Sequence, residues 1–278
     1  MYGILKLFEA LNTAMTKHLG IIYFLFFLTF TSQLSAQDSL KFKNETGFYF
    51  SWGYNKDYFS KSDIRFKDAG NDQYDFKLID AKAKDLPGFK NILKTDLSIP
   101  QYVYRIGYYF KKKSQFGIEI NFDHAKYIVY DNQTLRVTGQ IRGRAIDKDT
   151  LVDNNFVHLE HTNGANFLMA NMLYRIKLFE SANHNSAVSL IFKTGMGTVI
   201  PKTDVTFMGT RLDNKFHIAG FIAGEEITIR YRIFKGLISE FSSKNAYANY
   251  FNALGVGTAK VSHSFFTTML ILTLGYQF

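Results

Sequence analysis

The chain closes on "FFTTMLILTLGYQF", Phe265 to Phe278. Side chains alternate across a β-strand, so a strand here divides into two faces. Phe266, Leu270, Leu272, Leu274, Tyr276 and Phe278 share one face, with Thr268 among them. Phe265, Thr267, Met269, Ile271, Thr273, Gly275 and Gln277 share the other. A long strand with one greasy face, ending on an aromatic ring, poses the question of which solvent that face meets.

The same period recurs upstream. "GFYFSWGYN" sets Phe48, Phe50, Trp52 and Tyr54 against Tyr49, Ser51, Gly53 and Asn55. "QYVYRIGYYF" sets Tyr102, Tyr104, Ile106, Tyr108 and Phe110 against Val103, Arg105, Gly107 and Tyr109. "QFGIEINFD" sets Phe116, Ile118, Ile120 and Phe122 against Gly117, Glu119, Asn121 and Asp123, and the alternation weakens at His124. A fourth strand is predicted from about Phe156 to Leu178, interrupted near "TNGAN". "AVSLIFKTGMG", "EITIRYRIF" and "GLISEFSSK" supply three more before the terminal one. The connections "KKKSQ", "ESANHNS" and "FKG" are short, whereas those near 57–99, 131–155, 201–215 and 246–261 are long. Strict alternation of short and long connections is what an up-and-down barrel needs when its two rims face different compartments. The first long loop carries its own weak alternation around "GND" and reads as a protruding hairpin.

Composition agrees. The chain has 278 residues, 46% hydrophobic and 17% aromatic, and aromatic enrichment favours strands. It has no cysteine, which excludes disulfides, thiolate metal sites, a cysteine nucleophile and an acylated N-terminal cysteine. Lys17 and His18 precede "LGIIYFLFFLTF", an apolar run too short to span a bilayer, and "SQLSAQD" follows. Residues 1–36 are therefore expected to be a signal peptide cut after Ala36, with Met15 an alternative start to Met1. Residues 37–278 form the expected barrel domain.

A soluble barrel turns its apolar face inward, and a membrane barrel inverts this. The charged residues on the predicted strands are sparse and of both signs: Arg105, Glu119, Lys193, Glu226, Arg230, Arg232 and Glu240. Mutual pairing in a narrow lumen accounts for such a set, with Glu240 facing Arg230 or Arg232 across a hairpin. The apolar faces end in rings such as Tyr54, Tyr108, Phe122 and Tyr231, as an aromatic girdle does. The expected fold is an all-β, eight-stranded antiparallel up-and-down transmembrane β-barrel with long extracellular loops. Glu225 strains this register, because it shares a face with Ile227 and Ile229. It is expected above the apolar band, or shifted by a bulge at Gly224.

"LILTLGYQF" resembles the C-terminal signature of bacterial outer-membrane β-barrels. In those families the assembly machinery reads a final strand ending in phenylalanine, here Phe278. The leader with "LSAQ" resembles those of Bacteroidetes-type envelope proteins, and the mature region resembles the small OmpA/OmpX-type barrels. The resemblance implies a bacterial outer-membrane location and contact with outer-membrane lipid and lipopolysaccharide. It implies a monomer with no cofactor and no nucleic acid partner.

Candidate chemistry concentrates in "NNFVHLEHTNGAN". His158, Glu160 and Thr162 share one face, and His161 and Asn163 the other. Imidazole beside carboxylate is the raw material of general-base catalysis. Lipid A deacylases carry a His-x-Ser-Asn motif that "HTNGAN" faintly resembles, but Asn163 stands at the serine position. His161, His158, Glu160 and Asp123 are the only catalytic nominees, should the chain be an enzyme acting on an envelope lipid. His124, His158, His161 and Asp123 lack dedicated metal-ligand spacing, and the acidic first loop (Asp63, Asp68, Asp72, Asp75, Asp80, Asp85) lacks an ordered calcium motif. The net charge of +9, with "KKKS", Lys41, Lys43, Arg142, Arg144, Lys202 and Arg211, favours contact with phosphate-bearing lipids. The leading expectation is a non-enzymatic envelope protein that binds through its outward loops. A lipid-modifying enzyme and a narrow porin are the alternatives.

Overall fold

The computed structural model describes residues 45–68, 70, 73–88, 100–112 and 114–278, all within the unit Phe42–Phe278. The expected leader, Lys41, Lys43, Asp72 and Lys113 lie outside the described residues. Among the described residues every helix-or-strand element is a β-strand. Eight of them build one continuous wall: β1 (Gly47–Phe59), β5 (Val103–Tyr109), β6 (Phe116–Asp123), β11 (Ala165–Glu180), β12 (Ala187–Phe207), β14 (Gly220–Phe234), β15 (Leu237–Leu254) and β16 (Lys260–Gln277). Each pairs antiparallel with its neighbour in that order, and β16 returns to β1, with Trp52 opposite Leu274. Short turns and both described chain ends gather at one rim: the Phe278 amide donates to the Phe48 carbonyl at 2.9 Å. Lys235 takes a positive φ of 49° in the tight turn joining β14 to β15.

The remaining strands extend the opposite rim into a cap: β2 (Ser62–Asp68), β3 (Tyr74–Ala81), β4 (Ala83–Lys84), β7 (Tyr127–Val129), β8 (Gln133–Ile141), β9 (Arg144–Val152), β10 (Val157–His161) and β13 (Thr210–Phe216). One cap sheet runs from the start of β16 through β2, β3 and β8 to β9. The other joins β4, β7, β10, the end of β12 and β13. Their inner faces meet in aromatic contacts, with Phe76 of β3 5.6 Å from Phe207 of β12 and stacked 5.2 Å from Phe66. The expected 57–99 hairpin is therefore present as β2–β3. The other long segments are not plain loops: 131–155 folds as the hairpin β8–β9, while β12 and β15 run on past their expected ends. The expected fourth strand splits into β10 in the cap and β11 in the wall, at Gly164, whose φ of +130° suits only glycine. Register shifts fall near the rims, at Lys177/Phe179, Lys202/Asp204, Arg232/Phe234 and Tyr250/Ala253, where bulges commonly end regular pairing.

The two wall faces have opposite chemistry. Ile227 is 52% exposed and Leu272 59%, facing outward, whereas Arg105 is 0% exposed and Glu240 1%, facing the lumen. Of the two expectations for Glu225, the bulge at Gly224 is not found. Pairing on both sides of Gly224 is unbroken, so no bulge moves Glu225, and it stays exposed on the outer face between Phe221 and Ile227.

Candidate functional site

The lumen is built from the small-or-polar alternate positions of the wall strands. Next to the short-turn rim, Glu45 accepts ion pairs from Arg232 (2.9 Å), Lys177 (3.1 Å) and Arg175 (3.7 Å). Glu180 joins them through Lys177 at 2.8 Å and Arg232 at 3.1 Å. Farther in, Arg230 Nε binds Glu240 at 2.6 Å, and its guanidinium lies 4.1 Å from the Tyr49 ring centre. Arg175 covers Tyr109 in the same way at 3.7 Å. The Tyr49 ring rests on Gly107, where any Cβ would collide with it, and its hydroxyl donates to Glu119.

Glu119 is the centre of the middle layer. It takes Arg105 Nη1 at 2.9 Å and Lys193 Nζ at 2.9 Å. Arg105 Nη2 and Lys193 also reach Glu226, at 3.0 and 3.1 Å. Lys244 binds Asp123 and approaches Glu226 at 3.8 Å. Asn171 bridges to Asn121 at 2.7 Å, and Asn121 donates to Asp123 at the same distance. Charges buried this way are tolerable only when matched, and removing one member of such a pair strands its partner. All seven charged residues expected in the lumen are thus buried, in three connected layers. Sequence reading missed Glu45, Arg175, Lys177 and Lys244. Arg175 and Lys177 share the inward parity of Leu173, and Lys244 that of Glu240, so the period already carried the signal.

Above this zone the interior turns apolar and aromatic. His161 Nε2 lies 3.2 Å from His263 Nε2, so one ring donates to the other. Tyr250 stacks on both, at 5.1 and 4.7 Å, and Tyr127 and Phe265 complete the enclosure. Burial holds the His161 imidazole down at about 3, so the ring is neutral. His158 instead points to the cap exterior, between Asp131 (2.7 Å) and Glu160 (3.4 Å). Its hydrogen bond to Glu160, aided by Asp131, raises its pKa, and the same bond lowers that of Glu160.

The four catalytic nominees therefore occupy three places. His158 and Glu160 touch each other on the cap exterior. His161 is enclosed with His263, and Asp123 lies in the lumen against Lys244. His124 hydrogen-bonds Asn166 at 2.8 Å and stacks on Tyr102, away from the other histidines. Among the described residues no group of three or more His, Cys, Asp or Glu converges as a metal site. Of the basic residues expected to meet phosphate, Arg211 is paired with Asp204 and Lys202 with Asp213 at 2.8 Å, while Arg142 and Arg144 stand exposed at the β8–β9 tip.

No family model matches the chain, and no curated protein does. Among solved structures, Neisserial surface protein A is 11% identical, with 84% of this chain and 98% of that one covered and a TM-score of 0.37. The outer membrane protein OprG from Pseudomonas aeruginosa is 13% identical, with 84% and 98% covered and a TM-score of 0.38. The attachment invasion locus protein Ail of Yersinia pestis, in complex with the heparin analogue sucrose octasulfate, is 10% identical, with 82% and 99% covered and a TM-score of 0.29.

Proposed function

We propose that the chain is an eight-stranded, monomeric β-barrel of the bacterial outer membrane, and that it acts without catalysis, by binding at the cell surface through its cap. The observation that carries this reading is the inversion of the wall. Ionised groups are locked inside, and a continuous ring of Ile106, Ile120, Ile229, Leu272, Leu274 and their neighbours is exposed outside. An exposed apolar belt of that extent needs a hydrocarbon solvent. The rim carrying the short turns and the chain ends faces the periplasm, and the cap stands outside the cell. Contact with lipopolysaccharide and delivery by the assembly machinery through the strand ending at Phe278 belong to the same reading.

The lumen favours binding over conduction. An eight-stranded barrel has room for little beyond its own side chains, and here paired charges fill the lower part and aromatic rings the upper. Planar-bilayer recordings are expected to be silent. Lipid A from cells with and without the protein is expected to give the same mass profile. Trypsin added to intact cells is expected to cut at Arg142, Arg144 or Lys148 on the exposed β8–β9 hairpin. A purified chain that stays folded and dissolved without detergent would overturn the membrane reading. A changed lipid A profile would restore the enzyme alternative.

A further inference from the structure

Glu225 faces outward with Ile218 and Phe221 exposed on one side of it and Ile227 and Ile229 on the other. On the membrane reading above, on which this inference rests, that is hydrocarbon depth. An ionisable group there is costly and marks a functional site by default. Among the described residues Glu225 has neither an ion pair nor a side-chain hydrogen bond.

It does not stand alone. Cross-strand pairing places Met172, Thr194, Glu225, Asn245 and Thr268 in one row across five strands. Thr268 Oγ1 donates to Asn245 Oδ1 at 2.8 Å, which leaves the Asn245 amide nitrogen as a free donor. Beside it, the Glu225 carboxylate is a free acceptor. Met172, Thr194, Glu225 and Asn245 of that row line a shallow outer groove of about 700 Å³, with Ala170, Ala223 and Gly224 in its floor. Met172, Met196 and Phe266 stand at its edges, 69%, 71% and 65% exposed.

We propose that this groove holds an acyl chain bearing a hydroxyl group, from an outer-leaflet lipid. A hydroxyl is a group that donates and accepts at once: it donates to Glu225 and accepts from the Asn245 amide. An ammonium would leave the Asn245 donor unmatched, and a carboxylate would repel Glu225. The volume is that of a small-ligand site, with apolar walls and a few converging polar groups. The methionines supply adaptable walls for a flexible chain. A second copy of this protein fits less well, because the projecting methionine and phenylalanine walls hold two such rows apart.

The test uses a lysophospholipid with a 3-hydroxytetradecanoyl chain against its plain tetradecanoyl analogue. Both are offered to the full protein in vesicles, and retention is read by native mass spectrometry after detergent release. The hydroxylated probe is expected to be retained about tenfold better, the scale of one added hydrogen bond. That preference should vanish in both Glu225→Leu and Asn245→Leu, which face lipid and should still migrate as folded barrels on unheated gels. Equal retention of the two probes overturns the proposal, as does a preference that survives in either folded variant. A disulfide cross-link between copies of Asn245→Cys overturns it in favour of a dimer. Wild-type protein that fails to float with vesicles overturns the membrane reading as well; protein that floats yet shows equal retention overturns this inference alone.

Discussion

Replacing Glu119 with leucine tests the claim that the lumen is a matched charge network. Glu119 is completely surrounded, accepting Arg105 and Lys193 at 2.9 Å each, together with the Tyr49 hydroxyl. Without it Arg105 and Lys193 share only Glu226, which Lys244 also approaches. Breaking a buried pair by removing one partner costs about 3–5 kcal/mol, a factor of roughly 10² to 4 × 10³ in the unfolding constant. Removing one charge of each sign should recover most of that, because a matched loss leaves no stranded ion. The assay is equilibrium unfolding in detergent micelles, followed by fluorescence of Trp52. Trp52 is the only tryptophan in the chain and sits on β1 opposite Leu274, at the seam where the wall closes. Glu119→Leu should lower the midpoint sharply, and Glu119→Leu with Lys193→Met should restore most of it. A single-variant cost below about 1 kcal/mol, the level of an exposed pair, would refute the reasoning. So would a double variant whose loss equals the sum of the two single ones.

Other outcomes follow from the same contacts. His161 is buried neutral with its pKa at about 3, so its contribution is full above the ordinary histidine value near 6.5 and declines as pH falls toward 3. Protection factors of cap amides against hydrogen exchange should fall over that window and do so less in His161→Gln. His158 has the opposite sign: its raised pKa stabilises the folded cap below about 6.5, and that help is lost as pH rises through the folded value. His158→Gln should flatten the decline on the alkaline side in the same exchange experiment. Gly107→Val drives a side chain into the Tyr49 ring and should abolish the folded band on unheated gels. The Phe278 ring is 75% exposed and touches Tyr276 at 5.3 Å, so Phe278→Ala should cost refolded protein at most about 1 kcal/mol. Its yield in cells should fall several-fold if the assembly machinery reads that ring.

The wall was legible in the sequence because a strand with an apolar outer face and a charged inner face has a strict period of two. Outward positions read from that period, such as Phe48, Ile106, Ile120 and Leu272, are exposed. Periodicity gives parity but not depth: it placed Glu225 on the outer face, yet nothing in "GEEITIR" tells how far the apolar belt continues past Phe221. The cap was largely illegible for a different reason. Its hairpin β8–β9 buries only Leu135, Val137 and Val152, while most of its other positions are charged or exposed, so its alternation is weak. The His161–His263 pair joins residues 102 positions apart. No local spacing reveals such a contact, which depends on β10 and β16 facing each other across the interior.

One buried apolar cluster runs without a break from Phe66, Phe76 and Phe207 in the cap to Phe167, Met269 and Ile271 inside the wall. The outward sheets are therefore not a detachable module resting on a cylinder. Transplanted onto another barrel they would lose the part of their interior that the wall supplies, and trimmed away they would leave the upper mouth of this one open to water. Variation is accordingly tolerated on the outer surface and turn tips of the cap, because changes to its underside are felt by the wall strands.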